Sequence, residues 1–204
     1  VDIQELNIDF LAGSGHKLCG PTGIGFLWAR EEILNEMPPF FGGGEMIEDV
    51  FEESSTWAEL PHKFEAGTPA IAEAIGLAEA INYIKKIGLE NINNYEKIIT
   101  QYLFHELNQI KDLHIIGPTP TDDKHRASLA AFYVDGIHSN DIAEILDSKG
   151  ICIRSGHHCC QPLHRTLGVK STARVSMNFT TTKKDIDIFI EKLKETIAFL
   201  SFNS

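Results

Sequence analysis

Residues 127–154, ASLAAFYVDGIHSNDIAEILDSKGICIR, predict a strand, a helix and a second strand in succession. The apolar runs ASLAAFYV and ICIR are typical of strands. Between them, SNDIAEILDSKG has apolar residues at helical spacing and predicts a helix that begins near Ser139 and ends at Gly150. Strands that alternate with helices in this way indicate an α/β or α+β fold.

The same alternation continues on both sides of this stretch. Short apolar runs predict buried strands at 8–12 and 24–28 and further strands at 113–117 and 173–177. Helical spacing predicts helices over 31–36, 72–86, 92–111 and from Thr182 to about Leu200, the last starting with Thr182 and Asp185 in a capping-box arrangement. Loop-rich sequence gives way to regular helices near residue 75, so we expect two parts, 1–75 and 76–204.

Composition restricts the possible partners and compartments. Against 18 Lys and Arg the chain has 29 Asp and Glu, and the net charge of −11 disfavours binding to nucleic acid. No apolar run approaches the ~20 residues that span a bilayer, so we expect no membrane insertion. The four cysteines are few and irregularly spaced for 204 residues, which indicates free thiols in a reducing compartment, the cytoplasm or, in a eukaryote, the plastid stroma.

The first candidate site is the glycine-dense loop GSGHKLCGPTGIG, residues 13–25. Its glycines let backbone amides approach a ligand closely, and Ser14, His16 and Thr22 add donors, a combination that suits a phosphate group. It is not a P-loop, because Leu18 follows Lys17 where a Ser or Thr would hold magnesium. Lys17 is then either a Schiff-base amine or an exposed lysine in a turn between two strands.

The second candidate site is RSGHHCCQPLH, residues 154–164, which concentrates three histidines and two adjacent cysteines. A zinc site is disfavoured, because neighbours such as His158 and Cys159 point to opposite sides of an extended backbone. A disulfide between Cys159 and Cys160 is disfavoured, because their Cα atoms are only ~3.8 Å apart. We therefore expect no metal here and favour a nucleophilic thiol.

Positively charged neighbours are what a nucleophilic thiol needs, because they stabilise the thiolate. Arg154, His157 and His158 are such neighbours in the sequence. Cys159 is closer to the histidine pair, although the sequence leaves Cys160 open as the attacking residue. Cys152 lies in the apolar run ICI, so we expect it to belong to the core.

Both loops resemble segments of one family, the pyridoxal-phosphate (PLP) dependent cysteine desulfurases of the SUF type. These enzymes belong to the class V aminotransferase family and are close relatives of selenocysteine lyases. SGHKLCGPTGIGFLW resembles the family's cofactor-lysine segment and RSGHHCCQPLH its active-cysteine segment. Three more segments agree in the family's order, namely PPFFGGGEMI, FEAGTPAIAEAIGLAEAI and LGVKSTARVSMNFTTT.

The resemblance implies a PLP fold type I transferase. Residues 1–75 would be the C-terminal part of its PLP-binding large domain, and 76–204 a connecting helix followed by an α+β small domain. The family's residues for the pyridine ring precede the lysine segment and are absent from this sequence. We therefore expect a fragment that is inactive alone, and we expect Asp9 to be structural.

The resemblance also implies roles for individual residues. Lys17 would carry the cofactor as a Schiff base, and Ser14 and His16 would donate to its phosphate. Thr68 would reach the phosphate of the partner subunit's cofactor, which implies a homodimer. Cys159 would carry a persulfide, and Arg174 would pair with the substrate carboxylate.

The implied reaction removes sulfur from L-cysteine, leaving L-alanine and a persulfide on Cys159. The sulfur would pass to an acceptor protein of the SUF system for iron–sulfur cluster assembly. A selenocysteine lyase acting on L-selenocysteine is the alternative within enzymes. From other classes, a zinc-binding module and a noncatalytic scaffold for a sulfur carrier remain alternatives.

Overall fold

The computed structural model describes residues 1–120 and 126–202, and the chain folds into two compact units, Val1–Gly88 and Leu89–Ser204. The boundary predicted near residue 75 falls inside a helix, whereas the units separate at the end of that helix. None of the helices in the described ranges combines the length and the apolar character that a membrane-spanning helix requires.

The first unit contains an antiparallel hairpin of β1 (Phe10–Ser14) and β2 (Gly25–Ala29), close to the predicted strands. Ser14 pairs with Gly25, so the two strands end together at the loop that connects them. A short 3₁₀ helix, Gly15–Leu18, begins this loop directly after β1. The hairpin therefore fixes where the glycine-dense loop begins and ends.

An ion pair closes the other end of this hairpin. Asp9 Oδ1 lies 2.9 Å from Arg30 Nε. The structural role expected for Asp9 stays a prediction. The prediction that both strands are buried is wrong, since Phe26 and Leu27 are 42% and 59% exposed. The physical reason is that this sheet has only two strands, and two strands leave much of their faces uncovered.

The other elements of the first unit are two helices, a second hairpin and a 3₁₀ helix: α1 (Glu31–Glu36), β3 (Ile47–Val50), β4 (Ser55–Trp57), His62–Phe64 and α2 (Ile71–Ile87). β3 and β4 pair antiparallel with an irregular register, and neither was predicted. Strands of four and three residues are too short to show a period of two. Helix α2 packs on the glycine-dense loop, where a Cβ on Gly20 would lie 2.9 Å from Leu77 Cδ1.

A four-stranded antiparallel sheet organises the second unit. Its strands are β5 (Leu113–Ile116), β6 (Leu129–Val134), β7 (Arg154–Gly156) and β8 (Thr172–Ser176), in the order β5-β6-β8-β7. The strand predicted at ICIR is misplaced, because β7 begins only at Arg154. Ile151 N–H instead donates to Leu146 O and so belongs to the end of the preceding helix.

Four helices accompany this sheet: α3 (Leu89–Leu107), α4 (Ser139–Ser148), α5 (Gln161–Thr166) and α6 (Lys183–Phe202). The predicted capping box is confirmed, because Thr182 N–H donates to Asp185 Oδ2 at 2.8 Å and Asp185 N–H donates to Thr182 Oγ1 at 3.2 Å. Helix α5 was not predicted, and its six residues are too few for an apolar period.

The core of the second unit lies between one face of the sheet and the long helices. Alternate residues of β6, Ala130, Phe132 and Val134, are buried with residues of α3, α4 and α6. This two-layer arrangement of antiparallel sheet and helices is the α+β architecture expected for the second half of the chain. The other face of the sheet is left for α5 and the segment around it.

We predict that truncating Leu103, which is fully buried on α3, destabilises the second unit. Leu103→Ala removes buried methyl groups and leaves a cavity, which should lower the free energy of unfolding by about 2–5 kcal/mol. Urea unfolding followed by circular dichroism measures this. Ile98→Ala on the same helix, where the side chain is 64% exposed, is the matched control and should change it by less than about 0.5 kcal/mol. Equal losses in the two variants would contradict the assigned core.

Candidate active site

The lysine loop presents Lys17 and its neighbours on a tight turn. Gly15 N–H donates to Ile24 O at 2.8 Å, and a Cβ on Gly15 would lie 2.8 Å from the Ile24 side chain, so only glycine fits there. The side chains of His16 and Lys17 are exposed on the 3₁₀ helix that follows. The packing behind the turn therefore fixes the backbone that carries them.

The polar groups of this turn are available to a ligand. Lys17 makes no hydrogen bond or ion pair with any residue that the structure describes, and the hydroxyl of Ser14 does not cap the 3₁₀ helix. One exposed amine and two side-chain donors, from Ser14 and His16, thus lie within four consecutive residues. Such a group suits an anionic ligand that also reacts with an amine.

Thr68 lies on a different loop of the first unit. It is exposed and follows Gly67, whose φ of +83° is a conformation that favours glycine. Gly67 N–H donates to Gly44 O at 2.8 Å, which ties this loop to the triple-glycine segment. In the described part of the chain, no hydrogen bond joins Thr68 to Ser14, His16 or Lys17.

The cysteine loop begins with a tight turn that carries Cys159 at its tip. Cys160 N–H donates to His157 O at 2.9 Å, and the two central residues, His158 and Cys159, have φ values of +51° and +63°. Positive φ at both central positions is the pattern of a type I′ turn and is uncommon outside glycine. The extended backbone assumed for this pair is therefore wrong, and Cys159 is exposed at the reversal.

A buried threonine holds this turn against the sheet. His158 Nε2 lies 2.9 Å from Thr172 Oγ1 and 3.1 Å from Thr172 O, and His164 Nε2 lies 3.1 Å from the same hydroxyl. Thr172 is 1% exposed and sits on β8. Neither central residue of the turn has a favourable φ, so these side-chain bonds and the hydrogen bond from Cys160 N–H to His157 O hold it in place together.

Arg154, and not the histidine pair, contacts the thiol of Cys159. Its Nη2 lies 3.1 Å from Cys159 Sγ, a distance at which a guanidinium donates a charge-assisted hydrogen bond to a thiolate. His158 faces Thr172 instead, and burial, followed by the charge of Arg174, lowers its pKa below 6.5. His158 is therefore neutral near pH 7 and supplies no positive charge to the thiol.

Arg154 and Arg174 lie directly opposite each other on β7 and β8. Residues opposite each other in an antiparallel pair project from the same face, so the guanidinium of Arg174 is on the same face of the sheet as that of Arg154, which contacts the thiol. Arg174 Nε and His158 Nδ1 are buried without a hydrogen-bond partner among the described residues. A buried donor and acceptor left without partners indicate a place where a ligand can bind.

His164 and Thr172 were given no role in the sequence analysis, yet they support the whole loop. Cys160 and His164 are four residues apart and α5 begins between them, so their side chains meet on one helix face, 3.8 Å between Sγ and Nδ1. The spacing of four residues between Cys160 and His164 is the feature of the sequence that could have predicted the role of His164. No feature of the strand that contains Thr172 predicts its hydrogen bonds to the two histidines.

One other cysteine expectation has a structural outcome. Cys152 is exposed, with Sγ 3.8 Å from Asp147 Oδ1, so its assignment to the core is wrong. The reason is that residues 151–153 do not form the predicted strand, and the half-buried Ile151 and Ile153 pack on the core instead. Within residues 1–120 and 126–202, no three His, Cys, Asp or Glu side chains are grouped as metal ligands.

We predict that His158 makes stability fall at acid pH. The unfolded chain binds a proton near pH 6.5, whereas the lowered pKa of His158 resists protonation in the folded state, so stability decreases as the pH falls through that value. Urea unfolding at a series of pH values from about 7.5 to about 5 measures the slope. His158→Gln keeps a donor for Thr172 and should flatten it.

His105→Gln is the matched control for this measurement, because the His105 side chain is 72% exposed. Its slope should equal that of the unmodified chain. A slope in His158→Gln as steep as in the unmodified chain would contradict the role of burial.

We predict that Arg154 activates Cys159. Arg154→Gln removes the guanidinium 3.1 Å from Sγ, so alkylation of Cys159 by iodoacetamide at neutral pH should slow several-fold. Peptide mass spectrometry measures the rate, with the exposed Cys152 as internal reference. Arg165→Gln, an exposed arginine on α5, is the control and should leave the rate unchanged. An unchanged rate in Arg154→Gln would show that the contact has no electrostatic effect.

Comparison with known proteins gives one consistent family. The aminotransferase class-V family model matches residues 1–189. A protein of Synechocystis sp. named probable cysteine desulfurase is 55% identical over 203 residues, which are 98% of this chain and 48% of that protein. The chain thus spans about half the length of the curated relatives it matches.

Solved structures of cysteine desulfurases share the fold. The Escherichia coli cysteine desulfurase CsdA is 35% identical with a TM-score of 0.89, over 98% of this chain and 48% of that one. The apo enzyme from Thermococcus onnurineus NA1 is 39% identical with a TM-score of 0.88, over 95% and 48%. These matches confirm the expected fold, which is that of the fold type I enzymes. The chain belongs to the aminotransferase class-V family.

Proposed function

We propose that this chain is part of a PLP-dependent cysteine desulfurase. The enzyme removes sulfur from L-cysteine, giving L-alanine and a persulfide on Cys159. The observation that carries this proposal is the exposed thiol of Cys159 at the tip of a turn, with Arg154 Nη2 3.1 Å from its sulfur. The similarity to proteins named cysteine desulfurase supports it.

The residues of the lysine turn fit PLP. Lys17 offers an exposed amine for the cofactor's aldehyde, and Ser14 and His16 offer donors for its phosphate. When bound, PLP supplies an electron-withdrawing ring that makes the substrate's Cα proton acidic. In our proposal the Lys17 amine then accepts that proton.

The arginine pair fits the substrate. Arg174 would pair with the carboxylate of L-cysteine, for which a planar guanidinium is well suited, and Arg154 adjoins it in the sheet. Arg154 would also keep the Cys159 thiolate available to attack the substrate's sulfur. The new sulfur–sulfur bond is the persulfide. The bond between the substrate's Cβ and its sulfur breaks, its electron pair stays with the three-carbon fragment, and protonation of that fragment gives L-alanine.

We further propose that the enzyme is a homodimer and delivers sulfur to another protein. Thr68, exposed on its loop, would reach the phosphate of the cofactor in the partner subunit. The exposed position of Cys159 suits transfer to an acceptor protein of the SUF system, for iron–sulfur cluster assembly. Thiols that must stay free suit the cytoplasm or another reducing compartment.

The test uses the full-length polypeptide loaded with PLP. We predict that it forms L-alanine from L-cysteine, and that Cys159→Ser loses this activity because the hydroxyl is a far weaker nucleophile toward sulfur. Alanine formation measured by chromatography checks both. Cys152→Ser is the control and should retain the activity, because this exposed thiol lies outside the turn.

The same preparations separate the proposal from its alternative. Cys159→Ser should be inactive on L-cysteine whatever its activity on L-selenocysteine. Full activity of this variant on L-selenocysteine, with no activity of either protein on L-cysteine, would identify a selenocysteine lyase. No alanine from the full-length polypeptide on either substrate would refute both assignments.

A further inference from the structure

The two adjacent cysteines of this loop lie in different surroundings. Cys159 is exposed and contacts Arg154, whereas Cys160 is half-buried. The Cys160 thiol donates to His157 O at 3.0 Å, and its sulfur is 3.8 Å from His164 Nδ1. The difference arises because Cys159 ends a left-handed turn while Cys160 begins helix α5.

Cys160 also lines a cavity of about 220 Å³ between the second face of the sheet and α5. Most of its wall is apolar, formed by side chains that include Ile116, Leu129, Leu163, Leu167 and Val169. A water molecule takes about 30 Å³, so the cavity has room for an additional sulfur atom. A sulfur species held there would be partly shielded from solvent.

The polar atoms of the cavity suit an anionic sulfur. Arg174 and His158 are among its lining residues, and Arg174 Nε and His158 Nδ1 are buried without partners among the described residues. A persulfide anion on Cys160 would accept a hydrogen bond from Arg174 Nε–H, and the other N–H groups of this guanidinium would remain for the substrate carboxylate. The cavity therefore offers both volume and a donor.

His164 lies beside the Cys160 thiol. It is 7% exposed, and its Nε2 lies 3.1 Å from Thr172 Oγ1. Its Nδ1 lies 3.8 Å from Cys160 Sγ and 3.2 Å from Cys160 O, a distance at which Nδ1–H donates to that carbonyl. His164 therefore helps to hold Cys160 in place beside the cavity.

We propose that Cys160 is a second sulfur-carrying residue, which takes the sulfane sulfur from Cys159. The inference rests on the proposed desulfurase function. The Cys160 thiolate attacks the outer sulfur of the Cys159 persulfide and forms a new sulfur–sulfur bond. The bond between Cys159 Sγ and that sulfur breaks, and its electron pair stays on Cys159 as a thiolate. The proton of the Cys160 thiol passes to solvent, which balances the charge, and nothing is oxidised or reduced overall.

Geometry favours this transfer over a disulfide between the same residues. A disulfide would have to bring the two sulfurs to about 2.05 Å across Cα atoms ~3.8 Å apart, which strains the backbone. The transfer requires no bond between the two cysteine sulfurs, because the sulfane sulfur extends about 2.05 Å beyond Cys159 Sγ and is itself the atom attacked. The transfer returns Cys159 to the thiolate form, ready for another substrate.

The experiment uses the full-length PLP-loaded enzyme with excess L-cysteine and neither acceptor protein nor reductant. The unmodified enzyme should form a burst of two L-alanine per protomer, one for each loaded thiol. Cys160→Ser, which keeps the size of the side chain and a donor for His157, should form one. After alkylation, tandem mass spectrometry that cleaves between the two residues should find sulfane sulfur on both in the unmodified enzyme and only on Cys159 in the variant.

Cys152→Ser is the control for loss of an exposed thiol, and its burst should remain two. Sulfane sulfur on Cys159 alone in the unmodified enzyme would overturn the proposal while leaving the desulfurase function intact, and this measurement needs no variant. An equal burst in Cys160→Ser and unmodified enzyme would also overturn it. Sulfane sulfur on Cys160 in Cys159→Ser would show direct attack by Cys160 and contradict the transfer. No alanine at all would instead refute the desulfurase function.

Discussion

The hydroxyl of Thr172 is the contact on which the reactive loop depends. The hydroxyl of this buried residue is hydrogen-bonded to the imidazoles of both His158 and His164. Its backbone pairs with Gly156 in the neighbouring strand. One side chain thereby ties together the end of β7, the turn with Cys159 and the helix that follows. The left-handed backbone of His158 and Cys159 is unfavourable for these residue types, so an exposed loop of this sequence would not hold the turn by itself.

The sequence predicts those elements of the fold that neighbouring residues determine by themselves. The start of α6 follows from Thr182 and Asp185, three residues apart, and the structure has both of their reciprocal hydrogen bonds. The strand predicted at ICIR was wrong, because an apolar run of this length also fits a segment that follows a helix and packs on the core. The exposed faces of β1 and β2 were not predicted, because an apolar sequence indicates a strand but not which other element packs against it.

The candidate residues could be named from the sequence, but their arrangement could not. Arg154 and Arg174 are twenty positions apart, and only the register of β7 against β8 places them opposite each other. Sheet register is set by packing across the whole sheet, so a local sequence pattern does not predict it. Arg154, one of the three neighbours expected to activate the thiol, contacts Cys159, whereas His158, another of the three, bonds to Thr172 instead.

The change of backbone conformation between Cys159 and Cys160 separates two chemical tasks. A thiol that attacks a substrate and meets an acceptor must be accessible and must have a cation beside it, as Cys159 does with Arg154. Storage of a reactive sulfur favours shelter, and Cys160 faces an apolar cavity with a histidine at its mouth. Adjacent positions in an extended strand would point the two thiols to opposite faces of the sheet, whereas here Cys159 contacts Arg154 and Cys160 shares a cavity with Arg174, and these arginines project from one face. A turn followed at once by a helix lets neighbouring residues occupy surroundings as different as these.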